Sequence, residues 1–346
     1  MLSASKKRTN ALIHVARIRN HLITSSMRIS VIGTGHLGAI HTKLLTQHED
    51  VTLAGIVDPN PERGREIATL YNAQWFPTIQ AMPDVDAVII ASPTSTHFDV
   101  VTECLARGFH CFVEKPATAT YDEAQQLLAQ LEGSNRIVQV GHVERFNPAV
   151  RALASMSIEP LFIEIHRLAP FKPRAIDVSV IHDLMIHDID LLLWLTSSTV
   201  TDIQATGVSV LTQTTDICNA RLTFANGCVA NVTASRITAT PMRKLRIFQR
   251  DRYVSLDLAA GAAEMYRLLD SSSIDVAHQT PLGMVTTQHG DNVIVHETPE
   301  ISPTNAILDE QRSFIDSIRS NTPVAVRLHE GAEAIRIAEW IGSLIS

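Results

Sequence analysis

Arg28-Ile-Ser-Val-Ile32, followed at once by Gly33-Thr-Gly35-His-Leu-Gly38, decides the fold of the amino-terminal half. The first five residues are a short apolar run that suits a buried parallel strand. The next six place glycine in G-x-G-x-x-G spacing, and Ala39-Ile-His-Thr-Lys-Leu-Leu45 then has helical character. Strand, glycines and helix in that order give the motif its required context. Gly33 allows the tight turn, Gly35 lets the backbone approach a pyrophosphate, and Gly38 lets helix and strand pack closely. His36 and Leu37 fall in the first helical turn, where free N–H groups meet phosphate oxygens. The stretch predicts a dinucleotide-binding α/β domain of the Rossmann type.

The residues that follow extend that reading. A second apolar run over 51–57 ends at Asp58, about 20 to 25 residues past the glycines, where an acid receives the adenosine ribose hydroxyls. No arginine follows it directly, which favours NAD over NADP. The alternative for Asp58 is a turn residue in Asp58-Pro-Asn-Pro61. Two more strand ends run into Ser92-Pro93-Thr94-Ser95-Thr96-His97 and Glu114-Lys115-Pro116. Ligands in open α/β sheets lie beyond the carboxyl ends of the strands, so Lys115 would point into the cofactor cleft. A solvated surface lysine is the alternative. Residues 138–142 read as a sixth strand that closes the domain.

Asp183-Leu-Met-Ile-His187-Asp188-Ile-Asp190-Leu-Leu-Leu-Trp194-Leu195 reads as a helix apolar almost all round, and such helices are normally buried. Asp183, His187 and Asp190 stand at i, i+4 and i+7, within about 60° of one another on one face. Burying two carboxylates and an imidazole is costly unless they are paired or used. A satisfied polar network and an active site are the two readings. The glycine loop, Asp58 and Lys115 supply the cofactor such a site would need, which turns the balance toward Asp183 and His187 as chemical groups, with Asp190 supporting the helix. The helix offers no second histidine, so no metal is expected.

Length and composition set limits. At 346 residues, two domains are the natural expectation. The net charge of −7 argues against a nucleic-acid partner, and apolar runs such as Ala87-Val-Ile-Ile-Ala91 are too short to span a bilayer. Cys104, Cys111, Cys218 and Cys228 show no C-x-x-C spacing and read as reduced thiols of a cytoplasmic protein. Residues 1–26 hold five Lys and Arg (Lys6, Lys7, Arg8, Arg17, Arg19), and no acid occurs before Glu49. They read as a disordered basic extension, either a targeting segment or an over-extended start ahead of Met27.

The carboxyl-terminal half changes character. Residues 161–168 alternate with period two, placing Glu164 and His166 on one face and Ile163, Ile165 and Arg167 on the other. Residues 217–224, Asn226-Gly227 and residues 228–236 predict a hairpin with a two-residue type I′ loop. Ala225 would then pair with Cys228, and Cys218 would face Ser235, which keeps the two cysteines apart. A second hairpin is expected around Arg250-Asp251-Arg252, and amphipathic helices over 305–320 and 330–344 pack back on the core. The polar segment 270–291 reads as a surface loop or a substrate-side flap. The expected division is an extension at 1–26, a dinucleotide domain at 27–148 and an α+β domain at 149–346.

Taken in order, the glycines, Ser92-Pro93-Thr94-x-x-His97, Glu114-Lys115-Pro116 and the D-x-x-x-H pair Asp183/His187 resemble the Gfo/Idh/MocA oxidoreductases. The resemblance covers residues 28–346. It implies a Rossmann domain joined to a second domain with a large, open, mostly antiparallel sheet. It also implies oxidation or reduction of sugars and polyols with NAD(P), by a homodimer or homotetramer. Lys115, Asp183 and His187 would form the active site. Ser92, Pro93, Thr94, His97, Glu114 and Lys115 would line the cofactor cleft, with Asn147 near the nicotinamide. Val140-Gly-His-Val-Glu-Arg-Phe-Asn-Pro148, residues 162–167 and residues 227–236 are similar to the subgroup acting on C3 of UDP-N-acetylglucosamine. That subgroup makes a 3-keto sugar nucleotide, which an aminotransferase converts for lipid A or surface polysaccharide. Free sugar or inositol oxidation and a non-catalytic regulatory role are the alternatives.

On this reading, His187 is the general base, because imidazole titrates near neutrality. Asp183 orients the ring and Lys115 stabilises the reacting oxygen. Lysine alone, depressed by burial, is the alternative base. Arg145, Arg167 and Arg236 are candidates for the substrate diphosphate, which guanidinium binds well.

Overall fold

The computed structural model of the chain describes residues 26–345 except 155, 174–176, 271–272, 276–277 and 288–289. Residues 1–25 of the expected extension lie outside the described residues. The first sheet consists of β1 (Met27–Ile32), β2 (Val51–Val57), β3 (Trp75–Phe76), β4 (Ala87–Ile90), β5 (His110–Glu114) and β6 (Val138–Gly141). Every pairing is parallel and the order is β3-β2-β1-β4-β5-β6. Helices α1 (His36–Leu45), α2 (Pro61–Leu70), α3 (His97–Ala106) and α4 (Tyr121–Leu131) provide crossovers. The strand order reverses between β1 and β4, which opens a crevice at the strand ends. Both faces of this sheet are covered, so β4 is apolar and buried along its whole length.

The second sheet holds β7 (Phe162–Leu168), β8 (Val200–Val208), β9 (Ile217–Phe224), β10 (Val229–Ser235), β11 (Met242–Phe248), β12 (Arg252–Asp257), β13 (Ala262–Asp270), β14 (Thr280–Thr287) and β15 (Gly290–Glu297). Its order is β14-β15-β13-β12-β11-β7-β10-β9-β8, antiparallel except for the parallel pair β7–β10. Period two works as expected in β7: Ile163, Ile165 and Arg167 are buried while their neighbours are half-exposed. The buried face packs on the helices α5 (Pro148–Arg151) and α6 (Ile186–Thr196), in an apolar core continuous with that of the first sheet.

The last helices, α7 (Ala306–Ser320) and α8 (Leu328–Ser343), close the dinucleotide domain. Phe314 of α7 meets Phe112 of β5 edge-on with ring centroids 6.0 Å apart. Gly331 of α8 lies so close to β6 that an added Cβ would come within 2.8 Å of Val140.

Two local expectations differ from the structure. The β9–β10 hairpin turns through three residues, because Phe224 N–H donates to Cys228 O and Gly227 N–H donates back to Phe224 O, both at 2.9 Å. Cys218 therefore faces Ala234 rather than Ser235. A type I′ turn needs positive φ at both central residues, and only Gly227 has it, at +87°. Asn226 is held by Thr196 O at the end of α6, to which its amide donates at 3.1 Å. All four cysteines are buried and unpaired. The segment 270–291 is also more regular than read. It supplies β14 and the start of β15 at the sheet edge, and none of its described residues lines the crevice.

Candidate active site

A cleft of 1180 Å³ runs from the glycine loop to the start of α6. At its nucleotide end the glycines have separate physical reasons. A Cβ on Gly33 would lie 2.6 Å from Ser92 N, and one on Gly38 would lie 1.9 Å from Gly33 O. Gly35 faces open space, and α1 starts there with no side-chain cap. The first-turn N–H groups of His36 and Leu37 are thus left for an anion. Asp58 is prepared for a ribose: one oxygen accepts from Thr34 N at 2.7 Å and from Thr34 Oγ1 at 2.5 Å, the other from Asn60 N at 2.8 Å. A fixed carboxylate favours a free ribose diol over a 2′-phosphate. These residues fit an NAD molecule with its pyrophosphate over Gly35 and its adenosine ribose at Asp58.

At the other end, Glu114 and Lys115 follow β5. His41 of α1 lies 2.7 Å from a Glu114 oxygen, and Gln311 of α7 donates to the other ring nitrogen of His41 at 2.9 Å. That fixes His41 as the donor toward Glu114. Lys115 Nζ donates to the backbone carbonyl of Asp183 at 2.7 Å and lies 3.7 Å from its carboxylate. Burial lowers the Lys115 ammonium from its ordinary value, against the opposing pull of Asp183 and Glu114.

The helix carrying His187 departs from a regular spiral. Residues Ile181–Met185 form a π turn, and α6 proper begins at Ile186. A wider turn breaks the i, i+4 alignment and turns a carbonyl out of the helix ladder, a feature frequent at functional sites. Here the carbonyl of Asp183 meets Lys115. The Asp183 side chain therefore sits with Lys115, and no hydrogen bond joins it to His187, which corrects its expected role of orienting the imidazole. His187 lines the cleft with its Nδ1 buried and unpaired. The His142 ring stands perpendicular to it, with centroids 6.3 Å apart. Burial, then the positive charges of Lys115 and Arg167, hold His187 well below the ordinary imidazole range, so it is neutral at pH 7.

Of the expected substrate arginines, only Arg167 lines the cleft, and its guanidinium is spent. It makes a two-pronged contact with Asp188 at 2.7–3.0 Å and donates to Glu144 at 2.8 Å. Burial opposes its charge, but Asp188 and Glu144 outweigh burial and raise it above the ordinary arginine range. Arg145 lies outside the cleft lining and grips Asp190 through Nε at 2.8 Å and Nη2 at 2.6 Å, with Glu330 at 2.8 Å. Arg236 donates to Val178 O at 2.5 Å and stands 4.0 Å from Asp216, again outside the lining.

Three cofactor candidates also act at one remove. Asn147 caps α5 through Ala149 N and donates to Leu258 O and Glu144, so it ties the two domains together instead of facing the cleft. The His97 ring bridges Pro116 O and Ser92 O, both at 2.9 Å, and so sets the distance between two lining loops. Thr94 is absent from the lining, whereas Ser92, Pro93 and Thr96 are in it. Arg63, Glu144 and Arg243 line the cleft without having been singled out in the sequence. Arg63 stands on the first turn of the helix after Asp58, a position a motif search reaches. Nothing local marks Arg243. Among the described residues, no group of His, Cys, Asp and Glu is arranged to hold a metal ion, and no helix is long and apolar enough to cross a membrane.

Comparison with known proteins agrees with this geometry. Residues 27–142 match the Gfo/Idh/MocA oxidoreductase family with its NAD-binding Rossmann fold, and residues 166–252 match the Gfo/Idh/MocA C-terminal domain. The chain is 37% identical over 300 residues to the UDP-N-acetylglucosamine 3-dehydrogenase of Acidithiobacillus ferrooxidans, covering 86% of this chain and 90% of that one. A solved structure of that dehydrogenase superposes with a TM-score of 0.82 at 34% identity, covering 92% of this chain and 97% of the other. An inositol 2-dehydrogenase of Rhizobium meliloti is 23% identical over 334 residues, covering 91% and 95% of the two chains.

Proposed function

This chain belongs to the Gfo/Idh/MocA family of NAD-binding oxidoreductases, and from that premise we propose that it oxidises C3 of UDP-N-acetylglucosamine to a ketone. The observation that carries the reading is the meeting of Lys115, Asp183 and His187 at one end of a cleft whose other end is built for a dinucleotide. Similarity to the dehydrogenase of that substrate, over most of both chains, selects the sugar.

NAD held by the glycine loop and Asp58 would supply the hydride acceptor. This chain's residues then account for the proton and the charge. Lys115, anchored on the Asp183 carbonyl, donates a hydrogen bond to the reacting hydroxyl oxygen and stabilises developing negative charge. His187, neutral because it is buried among cations, accepts the hydroxyl proton. The same surroundings disfavour the imidazolium, so the ring passes the proton on to water in the cleft. Asp183 favours the charged Lys115 ammonium, opposing the effect of burial.

A 3-keto sugar nucleotide is a carbonyl compound suited to an aminotransferase, which places the product before amino-sugar formation for lipid A or surface polysaccharide. Four unpaired cysteines fit a reducing, cytoplasmic setting. The outer face of the second sheet carries an aromatic stripe, Phe162–Phe248–Tyr253–Tyr266–His296, with successive centroids 4.9–5.8 Å apart. Such a stripe on an uncovered sheet face supports a homo-oligomer joined there. Light scattering should give at least a dimer mass, and Tyr253→Lys should lower it. Following NADH formation with UDP-N-acetylglucosamine, inositol and glucose tests the activity. Turnover of the sugar nucleotide alone is the expected result. Turnover only of the free polyols would reject the substrate, and binding of NAD without any turnover would favour a regulator.

A further inference from the structure

We propose that Arg243 binds the diphosphate of the sugar nucleotide and is the residue that separates a nucleotide-linked sugar from a free polyol. The inference rests on the substrate reading above and deepens it. A diphosphate entering this cleft needs a cation with donors to spare. Among the described residues, four Lys or Arg line the cleft: Arg63, Lys115, Arg167 and Arg243.

Three of them are committed elsewhere. Arg63 stands at the adenosine end, donating to Thr34 O at 3.0 Å and to Glu66 at 2.7 Å. Lys115 is held by the Asp183 carbonyl beside His187, where the reacting hydroxyl binds. Arg167 is 4% exposed and has its charge matched by Asp188 and Glu144.

Arg243 differs in each respect. Its side chain is 52% exposed. It stands on β11 directly across from Arg167 on β7, which puts it at the catalytic end of the cleft. Its acidic contact is Glu144, at 3.5 Å, on the same oxygen that Arg167 already takes at 2.8 Å. A charge-assisted bond has a length of about 2.7–2.9 Å, so the contact with Arg243 is loose. A guanidinium has five N–H donors in a planar fork that matches phosphate oxygens in pairs. Arg243 uses one of them, weakly. Its charge also bears on His187, so both sit in one electrostatic neighbourhood. A neutral polyol would gain little from such a cation, and a diphosphate gains a two-pronged contact.

The test is calorimetric titration of the NAD-loaded protein with UDP and with uridine, for the wild type, Arg243→Met and Arg243→Lys. Losing a charge-assisted, two-pronged contact should weaken UDP binding by about ten- to a hundredfold in Arg243→Met. Uridine should bind all three proteins alike, and Arg243→Lys should fall between the other two for UDP. Unchanged NAD affinity and melting temperature report an intact fold. UDP binding by Arg243→Met at wild-type strength would overturn the inference and leave the substrate reading standing. Equal losses of UDP and uridine would overturn the diphosphate assignment. Failure of the wild type to bind UDP would overturn both.

Discussion

Between Asp183 and Asp190, at the start of α6, four ionisable side chains fall into two pairs that the fold treats in opposite ways. Asp188 and Asp190 are fully buried and saturated: each carboxylate takes a two-pronged arginine, Arg167 and Arg145 respectively. Asp183 and His187 lie one to seven residues from them and are unsaturated. Asp183 is 36% exposed with Lys115 at 3.7 Å, and His187 has a buried nitrogen with no partner. A buried charge is tolerated when it is paired, and a group left partly unpaired at a cleft keeps bonding capacity for a ligand. Along one short segment the acids that look most alike in sequence divide between pairing with buried arginines and lining the cleft.

Breaking the saturated pair should be the larger effect on stability. Asp188→Ala leaves Arg167 charged, buried and without its main partner, and should cost about 3–5 kcal/mol of folding stability in denaturant melts. A loss below about 1 kcal/mol would mean that the pair is not closed in solution. His187→Ala should do the reverse. Turnover should fall about 10²–10⁴-fold while NAD binding and the melting temperature stay near wild type. Undiminished turnover would refute the base, and a melting loss as large as that of Asp188→Ala would erase the contrast.

Glu310 sharpens the comparison, because it is a buried acid with neither an arginine nor a cleft. Both its oxygens lack partners, and burial, then Glu114 and Asp190, raise its carboxyl well above the ordinary range. The folded chain therefore holds this proton more tightly than the unfolded chain. Stability from the neutral carboxyl is fully present below the ordinary carboxyl range and is lost as pH rises through the higher folded value. Glu310→Gln should thus raise stability by about 1–3 kcal/mol above that value and change little in acid. Lower stability of the variant in base would show that the carboxylate has a partner. The smallest effect is a displaced pH profile. With His187 depressed, the rate of oxidation should rise with pH through a midpoint below the ordinary imidazole range. With Lys115 depressed, it should decline above a midpoint below the ordinary lysine range. A rising limb at or above the ordinary imidazole value would remove His187 as the base.

Much of the nucleotide half was legible because its signals are local. Strand, glycines and helix span eighteen residues from Arg28 to Leu45, and Gly38 is required by the carbonyl of Gly33 five residues before it, although Gly33 itself packs against the more distant Ser92. Asp58 and Lys115 stand at strand ends, which a run of apolar residues marks directly. Asn147 and His97 were harder to read, since both stand in motifs at the cleft but hold the cleft's walls. The hairpin missed by one register step because Asn226 answers to Thr196, thirty residues away. The π turn was invisible because periodicity assumes a regular spiral.

By itself the sequence determined a parallel dinucleotide-binding sheet, a second sheet with period-two strands, and the set of residue types that a hydride-transfer site requires. It did so because each depends on neighbours within a few turns or one strand. Only the tertiary structure decided which arginine is free. Arg145 finds Asp190 across 45 residues and Glu330 across 185, and Arg167 finds Asp188 across 21. An arginine's availability is what remains after such distant carboxylates have been assigned, and that remainder is fixed only when the two sheets meet. It left Arg243, which no motif contains, facing the cleft.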